Sequence, residues 1–129
     1  MAEDGRGRFE AGLEVRRRVL GAEYVDAALA SADEFSRPLQ ELVTEYCWGA
    51  IWTRPGLDPA TRSLVTIAML VGLNRPDELR LHVTGAIRNG CTAEQVREVL
   101  LQSAIYVGVP AALPAIAIAR EALATEPRP

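Results

Sequence analysis

The 129 residues, 49 % apolar and 24 % charged, suffice for one domain with a core but not for two. A net charge of −3 argues against a general nucleic-acid binder. The two cysteines, Cys47 and Cys91, lie far apart with no Cys-x-x-Cys, which disfavours a disulfide framework and points to the cytoplasm. The opening MAEDGRGRFE lacks the apolar core of a secretory signal, and the longest apolar stretch, 64–73, is too short to span a bilayer. A single domain over 1–129 is therefore expected, with 1–7 and 125–129 frayed, and with no membrane partner.

Every segment reads as helix, since alternating β-branched runs are absent. Residues 8–20 form a charged first helix stopped by Gly21, and its Arg16-Arg17-Arg18 run reads as a solvated face. A short helix covers 22–31. A third, 34–52, carries Pro38 in its first turn. Its expected inward stripe is Leu39, Leu42, Val43, Tyr46 and Ala50. Glu41, Glu45, Trp48 and Trp52 fall on the opposite side, where two tryptophans suggest a subunit interface or a ligand pocket.

Pro55-Gly56 makes a turn, and Asp58 caps a fourth helix, 59–73, with Pro59 at its first position. That helix is apolar on nearly every side and is expected to be buried all round. The fifth helix opens at Pro76 and ends at Asn89-Gly90, a left-handed cap signal. Thr92 and Gln95 form a capping box for the sixth, 93–107. Gly108 and Pro110 then separate it from an alanine-rich seventh helix reaching about Ala124. The surplus apolar surface of the third and seventh helices predicts a homo-oligomer.

His82, the chain's single histidine, shares a helical stripe with Leu79, Val83, Ala86 and Ile87. It therefore points inward, either as a hydrogen-bonded core residue or as a general acid or base at a pocket wall. Arg54 sits in the 53–58 turn, and Arg62 in the first turn of the fourth helix, where the macrodipole disfavours a cation. Arg62 either pairs with Asp58 or another acid, or joins Arg54 in clamping a substrate carboxylate. Cys47 reads as a small apolar filler, and Cys91 as half exposed. One histidine offers no metal-ligand cluster, and neither a nucleophile elbow nor a phosphate-cradling loop occurs.

The stretch WTRPGLDPATRSLVTIAMLVGLNRPDELRLHVTGAIRNGCTAEQVREVLLQSAIYVGVPAA resembles the carboxymuconolactone decarboxylase family, as do RFEAGLEVRRRVLG and EYCWGAIW. The match is colinear from about Arg8 to Leu123. It implies an all-α, alkylhydroperoxidase-like bundle of six to seven helices, assembled as a trimer or hexamer. The superfamily's redox branch carries Cys-x-x-Cys-x-x-x-His. Aligned on His82, those cysteine positions hold Arg75 and Glu78, so a disulfide-cycling peroxidase is disfavoured.

The resemblance implies instead a cofactor-independent carboxy-lyase acting on a small carboxylated lactone such as 4-carboxymuconolactone, in aromatic catabolism. Loss of CO₂ from that lactone leaves a dienolate whose charge the lactone itself holds. The implied roles are proton delivery by His82, with Glu45 orienting it or acting as its proton partner. Arg54 and Arg62 bind carboxylate or pair structurally, and Trp48 and Trp52 wall the pocket. The chain departs from the family's usual pattern at Glu45, Ala50 and Leu113, where Arg, Glu and Asn are common. An isomerase or cyclase on the same fold, or a non-catalytic small-molecule-binding oligomer, are the alternatives.

Overall fold

The structure is a computed structural model. It describes residues 5–125, and the expected fraying of 1–4 and 126–129 falls outside them. Among the described residues there are seven α-helices, one π-helical segment and no strand. The helices group into two compact units, one ending at Leu57 and the other beginning at Asp58.

The first unit holds α1 (Gly5–Leu20), α2 (Ala22–Ala30), α3 (Arg37–Leu42) and a π-helix, Val43–Ile51, that follows α3 without a break. Gly21, at φ 92°, makes the bend between α1 and α2. Residues 33–36 form a turn closed by Asp33 and Ser36, each accepting from the other's backbone N–H, so the third helix begins at Arg37 and not at 34. The π-helix packs along α1, and glycines allow the approach. A Cβ on Gly12 would press on the carbonyl oxygen of Thr44 and lie 2.6 Å from the Gly49 nitrogen. One on Gly49 would press on the carbonyl oxygen of Arg8.

This contact overturns the expected facing of the third helix. Leu39, Leu42 and Tyr46 are exposed, while Thr44, Trp48, Gly49 and Trp52 are buried. An α-period projection of 34–52 fails because the turns from Val43 onward bond i→i+5, as the Trp52 N–H donating to Cys47 O at 3.0 Å demonstrates. Cys47 is accordingly exposed and is not a core filler. Arg17 and Arg18 are solvated as expected. Arg16 is not: only 5 % of it is exposed.

The second unit holds α4 (Pro59–Leu73), α5 (Pro76–Arg88), α6 (Ala93–Tyr106) and α7 (Val109–Thr125). Its core joins Ile67 and Val71 of α4, Leu79 and Val83 of α5, Val96 and Leu100 of α6, and the Ala115, Ala119 and Ala122 stripe of α7. The terminal signals operate as expected. Asp58 accepts from the Thr61 N–H at 2.7 Å, the Thr92–Gln95 capping box forms in both directions, and Gly90 is left-handed at φ 96°. Asn74 adds a left-handed cap to α4.

Two expectations need correction. Pro110 lies in the first turn of α7, where it costs no intrahelical bond, and does not separate the helices. α4 is not buried all round, since Met69 is 61 % exposed and Val65 and Leu73 are also exposed. A four-helix unit covers one stripe of α4 and leaves its opposite side open.

Candidate functional site

The sequence-selected residues fall into both units. In the first, the π-helix carries Glu45 and Trp48, with Trp52 at its C-cap and Arg54 exposed in the turn that follows. Trp48 is 3 % exposed, and its ring stacks on that of Trp52 with centroids 4.9 Å apart and planes 28° from parallel. Glu45 meets a partner that the sequence reading missed. Arg8, in the first turn of α1 and part of no motif, donates from Nη2 to Glu45 Oε1 at 3.2 Å and lies over the Tyr46 ring at 5.5 Å. Spacing in sequence could not have found it. The clue was Gly12, one turn on, a residue that weakens a helix unless something packs closely there.

In the second unit, α4 and α5 pack together, bringing Arg62 and His82 onto neighbouring helices. The C-terminal end of α5 is tied to the N-terminal end of α4. Asn89 Nδ2 donates to Ser63 Oγ at 2.9 Å and to Pro59 O at 3.4 Å, and Cys91 Sγ donates to Ala60 O at 3.3 Å. Cys91 is thus buried and hydrogen-bonded, not half exposed, and burial pushes its thiol pKa up. That is the reverse of what a nucleophilic thiolate needs. Among the described residues, no group of three or more His, Cys, Asp or Glu side chains could hold a metal ion. No described helix is long and apolar enough to cross a membrane.

His82 is half-buried on the apolar stripe of α5, between Leu79 and Val83. Burial pushes its pKa down to about 4, and Glu78, one turn earlier, only partly opposes this. The imidazole is therefore neutral at pH 7. An unfolded histidine binds its proton near pH 6.5, whereas the folded one resists until about pH 4. Between those values the unfolded chain holds more protons, so stability falls with pH across this window and levels off below it. The expected loss is at most about 3 kcal/mol. Urea midpoints at pH 7.5 and 4.5 measure it, and His82→Gln should show a correspondingly smaller drop.

Comparison with known proteins gives the family of the chain. The carboxymuconolactone decarboxylase family matches residues 37–121. A nitrosuccinic acid decarboxylase from Metarhizium robertsii is 45 % identical over 115 residues, covering 89 % of this chain and 80 % of that protein. A 4-carboxymuconolactone decarboxylase from Acinetobacter baylyi is 42 % identical over 114 residues, covering 88 % and 85 % respectively.

Proposed function

Because the chain belongs to the carboxymuconolactone decarboxylase family, we propose that it is itself a decarboxylase. Its substrate is a dicarboxylic acid whose departing carboxylate has an electron-withdrawing group positioned to receive the electron pair. The observation that carries this reading is identity of 42–45 % to two proteins named as decarboxylases, over nearly nine-tenths of the chain. A Cys-x-x-Cys peroxidase has no support, since Arg75 and Glu78 stand where its thiols would be.

The two named substrates share one chemistry. In 4-carboxymuconolactone the electron pair left by CO₂ flows into the lactone carbonyl, and in nitrosuccinic acid it flows into the nitro group. Neither needs a cofactor as electron sink. What the protein must supply is carboxylate binding, stabilisation of the developing oxyanion and a proton for carbon.

His82 is the proton donor in this scheme. A buried neutral imidazole gains affinity for a proton when a dianionic substrate binds near it, because opposite charge favours the imidazolium. The C–COO⁻ bond breaks, CO₂ leaves, and the electron pair moves into the sink. The imidazolium proton then passes to carbon and His82 returns to neutral. Each turnover consumes one proton from solvent, and charge balances. In the second unit Arg62 fits a carboxylate anchor; in the first, taken by itself, Arg54 fits the same task, the Trp48–Trp52 pair fits a flat apolar wall, and Glu45, held by Arg8, fits a positioning role.

The exposed Met69, Leu73, Ile105, Tyr106 and Leu113 support assembly into a homo-oligomer, a trimer or hexamer by family resemblance. The cysteine usage supports a cytoplasmic location.

The test is CO₂ release above the spontaneous rate from 4-carboxymuconolactone and, separately, from nitrosuccinate. Acceleration of the lactone reaction is the expected result and places the protein in aromatic catabolism. Acceleration with nitrosuccinate alone keeps the decarboxylase and moves its substrate. No acceleration with either contradicts the proposal and favours an isomerase, a cyclase or a binding protein on the same fold.

A further inference from the structure

We propose that Arg16 is a positioning residue, which from α1 fixes the helical register in which the π-helix presents Glu45 and the Trp48–Trp52 pair. The role rests on the reading above that the π-helix handles substrate.

Arg16 is almost fully buried, yet its hydrogen-bond partners are neutral. Nη1 donates to Gln40 Oε1 at 2.9 Å and to Thr44 Oγ1 at 3.1 Å. The Thr44 hydroxyl donates in turn to Gln40 O at 2.8 Å. Among the described residues no carboxylate pairs with Arg16, and its Nε is buried with no hydrogen bond. Burial accordingly pushes its pKa down. Such a group is a poor device for stability, because a buried cation without a counter-charge is costly, and an apolar side chain of similar length would fill the space at less cost.

What the guanidinium provides is geometry. Gln40 and Thr44 stand four residues apart, one before and one after the change from α3 to the π-helix at Leu42–Val43. Held together by one nitrogen and by the Thr44–Gln40 bond, they keep an α-helical spacing at the junction. The widening to i→i+5 bonding is thereby confined to the residues that follow, which are those carrying Glu45, Trp48 and Trp52. Released from this anchor, the segment can slip back toward α-helical register and rotate all three side chains against α1. Long π-helices are rare and need such outside support.

The chain's two tryptophans are the stacked pair itself, so the tryptophan circular-dichroism bands arise from this pair. Three variants of the full chain are compared with wild type: Arg16→Met, Arg16→Lys and Thr44→Val. In folded Arg16→Met, with far-UV helix signal kept, the tryptophan bands should change. Its kcat per folded molecule should fall about ten- to hundred-fold with a much smaller change in KM, as misplacement of pocket groups does. Arg16→Lys should recover part of both, and Thr44→Val should reproduce the spectral change. Unchanged tryptophan bands, or an unchanged kcat, with only a lower unfolding midpoint, would reduce Arg16 to a structural residue and overturn the proposal. Should Arg16→Met not fold, Thr44→Val decides by the same criteria. Should the wild-type chain release no CO₂ from either acid, the tryptophan bands still decide, so failure of the decarboxylase reading is separable from failure of this one.

Discussion

Replacing His82 with Gln should lower kcat/KM for decarboxylation by about 10²–10⁴-fold at pH 6, the range spanned by loss of a positioned proton donor. Gln is close in size and keeps an N–H, but it cannot carry a proton to carbon. The fold should tolerate the change, and in acid it should benefit. His82 is half-buried with its pKa held near 4, so protonation below pH 6.5 works against the wild-type fold and not against the variant. An inactive protein more acid-tolerant than its parent separates chemistry from folding. Near-normal turnover in His82→Gln would remove His82 from the mechanism, whatever its effect on stability.

The second large effect is expected at Gly12. Gly→Ala in an exposed helix interior ordinarily stabilises by about 0.5–1 kcal/mol. At Gly12 the sign should reverse. The new Cβ would meet the backbone of Thr44 and Gly49, which no rotamer change can move aside. α1 and the π-helix must separate, at a cost of about 1–3 kcal/mol or more, and at about 4–8 °C per kcal/mol the Tm should fall by roughly 10 °C. Gly72→Ala is the internal control. It sits in α4, where a Cβ would meet only Val107 Cγ2 at 3.7 Å, an ordinary contact, and the substitution should raise the Tm slightly. Thermal unfolding of both variants measures the pair. A Gly12→Ala protein as stable as the parent would contradict the close helix approach.

Elements set by local chemistry were legible in the sequence. Asp58 before Pro59, Thr92 before Gln95, and Asn89-Gly90 each act within one turn of themselves, and each ends or begins a helix where expected. The inward direction of His82 followed from an unbroken 3.6-residue stripe on α5. The facing of residues 37–52 was not legible, because the π-helical bonding depends on contact with α1 and leaves no periodic mark. The α-period projection therefore turned Leu39 and Tyr46 inward and Trp48 outward, the reverse of the structure. Arg16 was hidden for a related reason. Within a run of three arginines only its position on α1 distinguishes it, and its partners Gln40 and Thr44 lie more than twenty residues away.

The ion pair of Arg8 with Glu45 also changes how the chain's departures from its family pattern read. Glu45, where Arg is common, is not an isolated acid. Arg8 holds its carboxylate and covers the adjoining Tyr46 ring, so the local charge is balanced. A substitution that reverses one charge here sets two like charges side by side, so changes at the two positions are expected to be coupled.

The central claim is that His82 is neutral in the free protein, is protonated on substrate binding and delivers that proton to carbon. The most direct measurement is the pH dependence of kcat/KM between pH 5 and 8. If the active form is the protonated histidine of a free enzyme whose pKa is about 4, log kcat/KM falls by about one for each pH unit across this range. His82→Gln should lose that slope. A wild-type profile that is flat from pH 5 to 8 would contradict the account.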